Sequence, residues 1–77
     1  THEKQVYHIY PNPANHFIQL STDEEGELKI IDFLGKVIHL ESFNKSSRIN
    51  TENLPSGVYY IQLQTIEHSY TKPLIIQ

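Results

Sequence analysis

The chain has 77 residues, no cysteine and a formal net charge of -3, from 6 Lys and Arg against 9 Asp and Glu. That length supports one small domain with a thin margin of stability and no disulfide to staple it. The basic residues are scattered, so nothing resembles the positive footprint of a nucleic-acid binder, and no apolar run is long enough to span a membrane.

Thr1 to Gln5 is polar and reads as a linker, with the domain proper over residues 6–77. Val6-Tyr7-His8-Ile9-Tyr10 is rich in β-branched and aromatic residues and predicts a strand. Pro11-Asn12-Pro13 stops it, because each proline removes a donor and drives its predecessor toward extended geometry. His16 to Ser21 predicts a second strand, with Ile18 and Leu20 on one face and Phe17 on the other. The acidic residues Asp23, Glu24, Glu25 and Glu27 surround Gly26 and read as a turn. Thr22-Asp23-Glu24-Glu25 matches a capping box, but Gly26 and a β-patterned run follow at once, so no helix is expected.

Glu27 to Asp32 predicts a third strand with Leu28 and Ile30 inward. Phe33-Leu34-Gly35-Lys36 is a turn, with Gly35 free to take a positive φ, and Val37 to Glu41 returns as the second arm of an antiparallel hairpin. Asp32, just before that turn, is placed to accept backbone N–H bonds. Ser42 to Asn53 is mostly polar, with Phe43 and Ile49 expected to pin it to the core. Leu54-Pro55-Ser56-Gly57 turns into Val58 to Gln64, the strongest strand pattern. Tyr59, Ile61 and Leu63 share one face there, so with Tyr59 inward Tyr60 should point out or toward an edge. Ile66 to Ser69 reverses the chain, and Tyr70 to Gln77 returns as a last strand ending in the apolar run Leu74-Ile75-Ile76. Short strands separated by Gly, Pro and Asn turns make this an all-β chain, a sandwich in preference to a small barrel.

The five histidines, His2, His8, His16, His39 and His68, lack the spacing of a structural zinc motif, and no thiolate joins them. Folding could bring His8 and His16 together, but solvent-facing strand histidines are the plainer account. The acidic cluster lacks the alternating ligand series of a calcium loop and reads as solvated. We therefore expect no metal and no cofactor. No serine sits in a nucleophile elbow, and a chain this short leaves little volume for a core and a catalytic cleft together, so no enzyme is expected. Asn44-Lys45-Ser46 fits the N-glycosylation triplet, which arises often by chance. The tyrosines at 7, 10, 59, 60 and 70 suit both cross-strand packing and a binding surface.

Four segments, in order, carry a resemblance. They are Tyr10-Pro11-Asn12-Pro13-Ala14, Leu28 to Val37 with its Asp32-x-x-Gly35 turn, Leu54 to Ile61 with Ser56-Gly57-Val58-Tyr59, and Tyr70 to Gln77 with a basic residue ahead of an apolar end. Together they resemble the C-terminal sorting domain, type A, of the type IX (Por) secretion system of Bacteroidetes, over about residues 6–77. The resemblance implies an immunoglobulin-like β-sandwich of about seven short, mainly antiparallel strands. It implies a non-catalytic domain at the end of a secreted cargo, read by the outer-membrane machinery from the periplasm. A sortase-like protease then usually removes the domain, and the cargo stays on the cell surface or is released. It places cleavage within Thr1–Val6 and translocon recognition on Lys72, Leu74, Ile75, Ile76 and Gln77. Pro11, Asn12, Pro13, Asp32, Gly35, Gly57 and Tyr59 are carried over as motif and structural residues. This chain has Pro73 and Gln77 where family members often carry basic or polar residues. A proline cannot donate to a ladder, so Pro73 predicts a terminal strand held loosely at an edge, open to strand addition by a receptor or to dimer formation through that edge. The competing reading is a non-catalytic adhesion or carbohydrate-binding module using exposed tyrosines.

Overall fold

The computed structural model describes residues 7–77, so the expected cleavage region lies outside the described residues. Five strands make one antiparallel sheet: β1 (His8–Tyr10), β2 (Phe17–Ile31), β3 (Val37–Asn50), β4 (Gly57–Gln64) and β5 (Ser69–Ile76). β3 pairs along one side of β2 for nearly its whole length. The other side of β2 is shared: β1 takes Gln19 to Ser21, and β4 takes Glu27 to Ile31. β5 pairs with β4, and Ala14, just after β1, forms a parallel bridge to Ile76. That bridge is reachable only if β2 folds back on itself. The sheet therefore curls into a sandwich-like half-barrel, and β2, β1, Ala14, β5 and β4 form a closed circuit.

The fold-back has a local cause. Between Ser21 and Glu25 the register slips, so Thr22, Asp23 and Glu24 of β2 face only Lys45 of β3, which sits at φ 68°. Such a bulge bends the strands it interrupts. The acidic cluster is thus a corner within a continuous strand, not the turn its composition suggests. Gly26 is there for space: a β-carbon would overlap the carbonyl oxygen of Gln64. The polar stretch from Ser42 onward is likewise strand through Asn50, held by Phe43 and Ile49, both buried. The described residues make five strands, two of them long and bent, where about seven short ones were expected.

Elsewhere the alternation is followed residue by residue. Ile18, Leu20, Leu28, Ile30, Ile61, Leu63, Leu74 and Ile76 fill the space between the layers. Tyr59 is 7% exposed and its neighbour Tyr60 41%. Both expected hairpins form. In the first, Asp32 Oδ1 accepts from the amides of Leu34 and Lys36 at 2.9 Å each, and Gly35 takes φ 89°. In the second, the Thr65 amide donates to the His68 carbonyl at 2.9 Å, and the Thr65 hydroxyl accepts from the His68 amide at 2.9 Å.

Candidate functional site

The terminal strand is fixed along both edges. On its inner edge β5 pairs with β4 from Gly57↔Ile76 to Gln64↔Ser69, with Tyr60 opposite Pro73. On its outer edge the Asn12 carboxamide takes the place of a peptide unit. Its Nδ2 donates to the Pro73 carbonyl at 3.1 Å, and its Oδ1 accepts from the Ile75 amide at 3.1 Å. Ala14 continues the ladder: its amide donates to the Ile75 carbonyl, and its carbonyl accepts from the Gln77 amide, each at 2.8 Å.

These contacts overturn the expectation of a loosely held terminus. Backbone polar groups on a strand alternate sides with period 2. Ile75 turns its N–H and C=O away from β4, so Pro73, two residues earlier, does the same. The N–H that Pro73 lacks would point to the outer edge, and no rung to β4 is lost. β5 does end the hydrogen-bonded strand order, as expected of an edge, but Asn12 and Ala14 cover that edge from Pro73 to Gln77. Strand addition there, by a receptor or a second copy, would first have to displace them.

The residues singled out from the sequence divide by burial. Leu74 and Ile76 are buried in the core, Lys72 is half-buried, and Ile75 and Gln77 are exposed. Pro11 and Pro13 flank the Asn12 clamp, each preceded by a cis peptide bond. Gly57 and Tyr59 lie opposite Ile76 and Leu74, and the Tyr59 hydroxyl donates to the Pro55 carbonyl at 2.6 Å, tying down the loop ahead of β4. Asp32 and Gly35 build the β2–β3 turn at the same end, since Ile31 pairs with Tyr60. The motif segments thus converge on the terminal strand and its end of the sandwich. The Asn12 clamp had no signal in composition or periodicity, because its partners lie 61 and 63 residues away.

The opposite end carries a cluster of titratable groups, Glu24, Glu67 and His68. Glu24 Oε1 accepts from the Tyr7 hydroxyl at 2.7 Å, and Glu24 Oε2 lies 2.9 Å from His68 Nδ1. The Tyr7 bond holds the Glu24 carboxyl below the ordinary value; burial, next in size, opposes it, and the contact with His68 adds to the lowering. Burial, then the Glu24 carboxylate, pushes the Tyr7 phenol up to about 12. Tyr7 also stacks on Tyr70, ring centroids 4.8 Å apart. Glu67 brings a carboxylate oxygen close to these groups, one ligand-type atom from each of Glu24, Glu67 and His68 lying within 4.8 Å of the others. Both oxygens of Glu24 are already engaged. His8 and His16 are not among these groups, and His16 instead sits 3.3 Å from Glu52. On β3, Glu41 joins His39, at 2.8 Å, and the Ser47 hydroxyl. Burial pushes the Glu41 carboxyl up, but the bonds from Ser47 and His39 together hold it below its ordinary value. Here the carboxylate stands between the serine and the histidine, the reverse of a triad in which the imidazole meets the serine.

Residues 8–77 match the family model described as secretion system C-terminal sorting domain. The chain belongs to that family. No curated protein matches the chain. The sorting-domain family is tied to Bacteroidetes type IX, or Por, secretion, and its members are non-catalytic tails. The sorting domain described here accordingly has a secretion-related, non-catalytic role, engages that machinery and has an extracytoplasmic destination. No helix among the described residues is long and apolar enough to cross a membrane.

Proposed function

We propose that this domain directs an upstream cargo through the outer-membrane type IX translocon, passing through the periplasm to the cell surface or medium, and that a sortase-like protease then removes it. The observation that carries the proposal is the double clamp on the terminal strand. The Pro-Asn-Pro-Ala segment grips one edge and the Gly57 to Tyr59 segment the other. A fold that spends its motif residues on one strand is organised to present that strand in a fixed shape.

Recognition then divides among the terminal residues. Lys72, Ile75 and Gln77 offer the contacts a receptor would read, while Leu74 and Ile76 act by holding the strand in place. The test is a reporter fused ahead of the domain, with export measured in a type IX-secreting bacterium. Deleting residues 73–77 should abolish export. Because that deletion also strips Leu74 and Ile76 from the core, Ile75→Asp and Lys72→Glu serve as variants that leave the fold intact. Undiminished export of both, with the domain still protease-resistant, would sink the terminal-strand reading. The adhesion alternative rests on Tyr10 and Tyr60, exposed at 52% and 41%. It predicts micromolar-range glycan affinity lost in Tyr60→Ala or Tyr10→Ala.

A further inference from the structure

The outer face of the sheet carries an apolar band that the core does not explain. The register lines up Pro73, Tyr60, Ile31 and Val37 in one row across β5, β4, β2 and β3. Register partners project from the same face, and this face is the solvent one, because Leu74, Tyr59 and Ile30, the adjacent residues on their strands, are buried. Val58 and Ile75 form a neighbouring apolar pair. At the end of the same sheet, the β2–β3 turn lifts Phe33 and Leu34 to 76% and 79% exposure.

That turn is rigidly made. Asp32 Oδ1 accepts from two backbone amides, which holds this carboxylate against the turn's own backbone where it lines one side of the groove behind it. Behind Phe33 lies a groove of about 370 Å³, walled by Ile38, Leu54, Pro55 and Val58. Band and tip together make a run of exposed apolar side chains of the kind that marks an interaction site on a monomer.

Charge and geometry select the occupant. The cations nearest the band are Lys29, in the row beside it opposite Gln62 and Leu40, and Lys36, at the foot of the turn. The acidic groups Asp23, Glu24, Glu25 and Glu67 gather at the other end, around the corner and the β4–β5 turn. The chain enters the fold at that acidic end, where the Tyr7 hydroxyl meets Glu24. Whatever precedes the domain is therefore tethered away from Phe33 and Leu34, and the apolar end faces outward for a partner in trans.

Resting on the sorting-signal reading, we infer that the Phe33–Leu34 tip, its groove and the adjoining band form a docking surface. Its partner is a protein of the secretion machinery that presents an apolar centre ringed by carboxylates. The tip and groove act as anchor and pocket, and Lys29 and Lys36 meet the acidic rim.

The test uses the reporter fusion with the double variant Phe33→Ser/Leu34→Ser and, separately, Lys36→Glu. These side chains are exposed, so the fold survives, which limited proteolysis of the purified fusion checks. We expect the double variant to export at least about tenfold less, as loss of central anchors requires, with the fusion accumulating in the periplasm. Lys36→Glu should lower export by a smaller factor. Wild-type export in both variants overturns the docking surface. Failure of the unaltered fusion to export overturns the sorting reading instead. Light scattering that shows the unaltered fusion as a dimer and the double variant as a monomer assigns the face to a second copy and overturns the proposal. Sedimentation of the unaltered fusion, but not the double variant, with phosphatidylcholine–phosphatidylglycerol vesicles assigns it to a lipid surface and also overturns it.

Discussion

Replacing Asn12 with alanine isolates the clamp on the terminal strand. The carboxamide makes one bond to the Pro73 carbonyl and one to the Ile75 amide, both at 3.1 Å and both exposed. Each such bond contributes about 0.5–1.5 kcal/mol net, and water can reach the orphaned groups, so the loss should be about 1–2 kcal/mol. At the sensitivity of a domain this size, that lowers the melting temperature by roughly 5–15 °C. The effect should also be local. In native-state hydrogen exchange the Ile75 amide should exchange on the order of tenfold faster, while Ile61 in the middle of β4 should change only as far as global stability does. Asn12→Asp sharpens the measurement. It keeps an acceptor for the Ile75 amide but sets a second oxygen against the Pro73 carbonyl, so it should be no more stable than the alanine variant despite its similar shape. If Asn12→Ala melts within about a degree of the unaltered domain and leaves Ile75 exchange unchanged, the clamp contributes nothing and the reasoning fails.

Gly26→Ala should be among the most damaging single changes, since the added carbon meets the Gln64 backbone, which cannot swing aside. We expect a loss of ~3 kcal/mol or more in urea unfolding, or no folded protein. Tyr59→Phe removes the bond to the Pro55 carbonyl and keeps the ring, so denaturant midpoints should report a loss of about 1 kcal/mol. The lowered carboxyls of Glu24 and Glu41 set an acid limit. A group whose value is depressed on folding adds stability that is full above its unfolded value, 4.5 here, and is lost as pH falls through the folded value. Melting temperature should therefore fall below about pH 4.5, and Glu24→Gln should flatten that slope. Tyr7 acts with the opposite sign: its contribution is full below pH 10.0 and is lost as pH rises toward about 12, which phenolate absorbance measures.

The legible part of the fold was its alternation. Ile18 with Leu20, Leu28 with Ile30, and Tyr59 with Ile61 and Leu63 each announce a buried face by period 2, and the structure buries them all. Asp32 and Gly35 announce their turn because the chemistry is local. What failed was tertiary. Asp23 to Glu27 looks like a turn because carboxylates and glycine usually mark one. Here pairing with β3, and the close passage of the Gln64 carbonyl by Gly26, keep the backbone extended around a corner. Pro73 looked like a weak link because its missing donor was counted without knowing which way it faced. Asn12 could be singled out as a motif residue, but its grip on β5 depends on a fold-back that no local window contains. The Phe33–Leu34 tip shows the reverse case: two apolar residues in a turn were visible throughout, and only the sheet register reveals the band they extend.

The circuit through β2, β1, Ala14, β5 and β4 has a consequence for the integrity of the fold. Its closing contacts join residues 12–14 to residues 73–77, nearly the full length of chain apart. Contacts of such long sequence separation are the costliest in loop entropy and depend on everything between them being in place. Loss of residues 73–77 does not leave a slightly frayed domain. It leaves Asn12 and Ala14 without partners and removes Leu74 and Ile76 from the interior. The closed circuit is thus a seal that sets only when residues 12–14 and 73–77 meet.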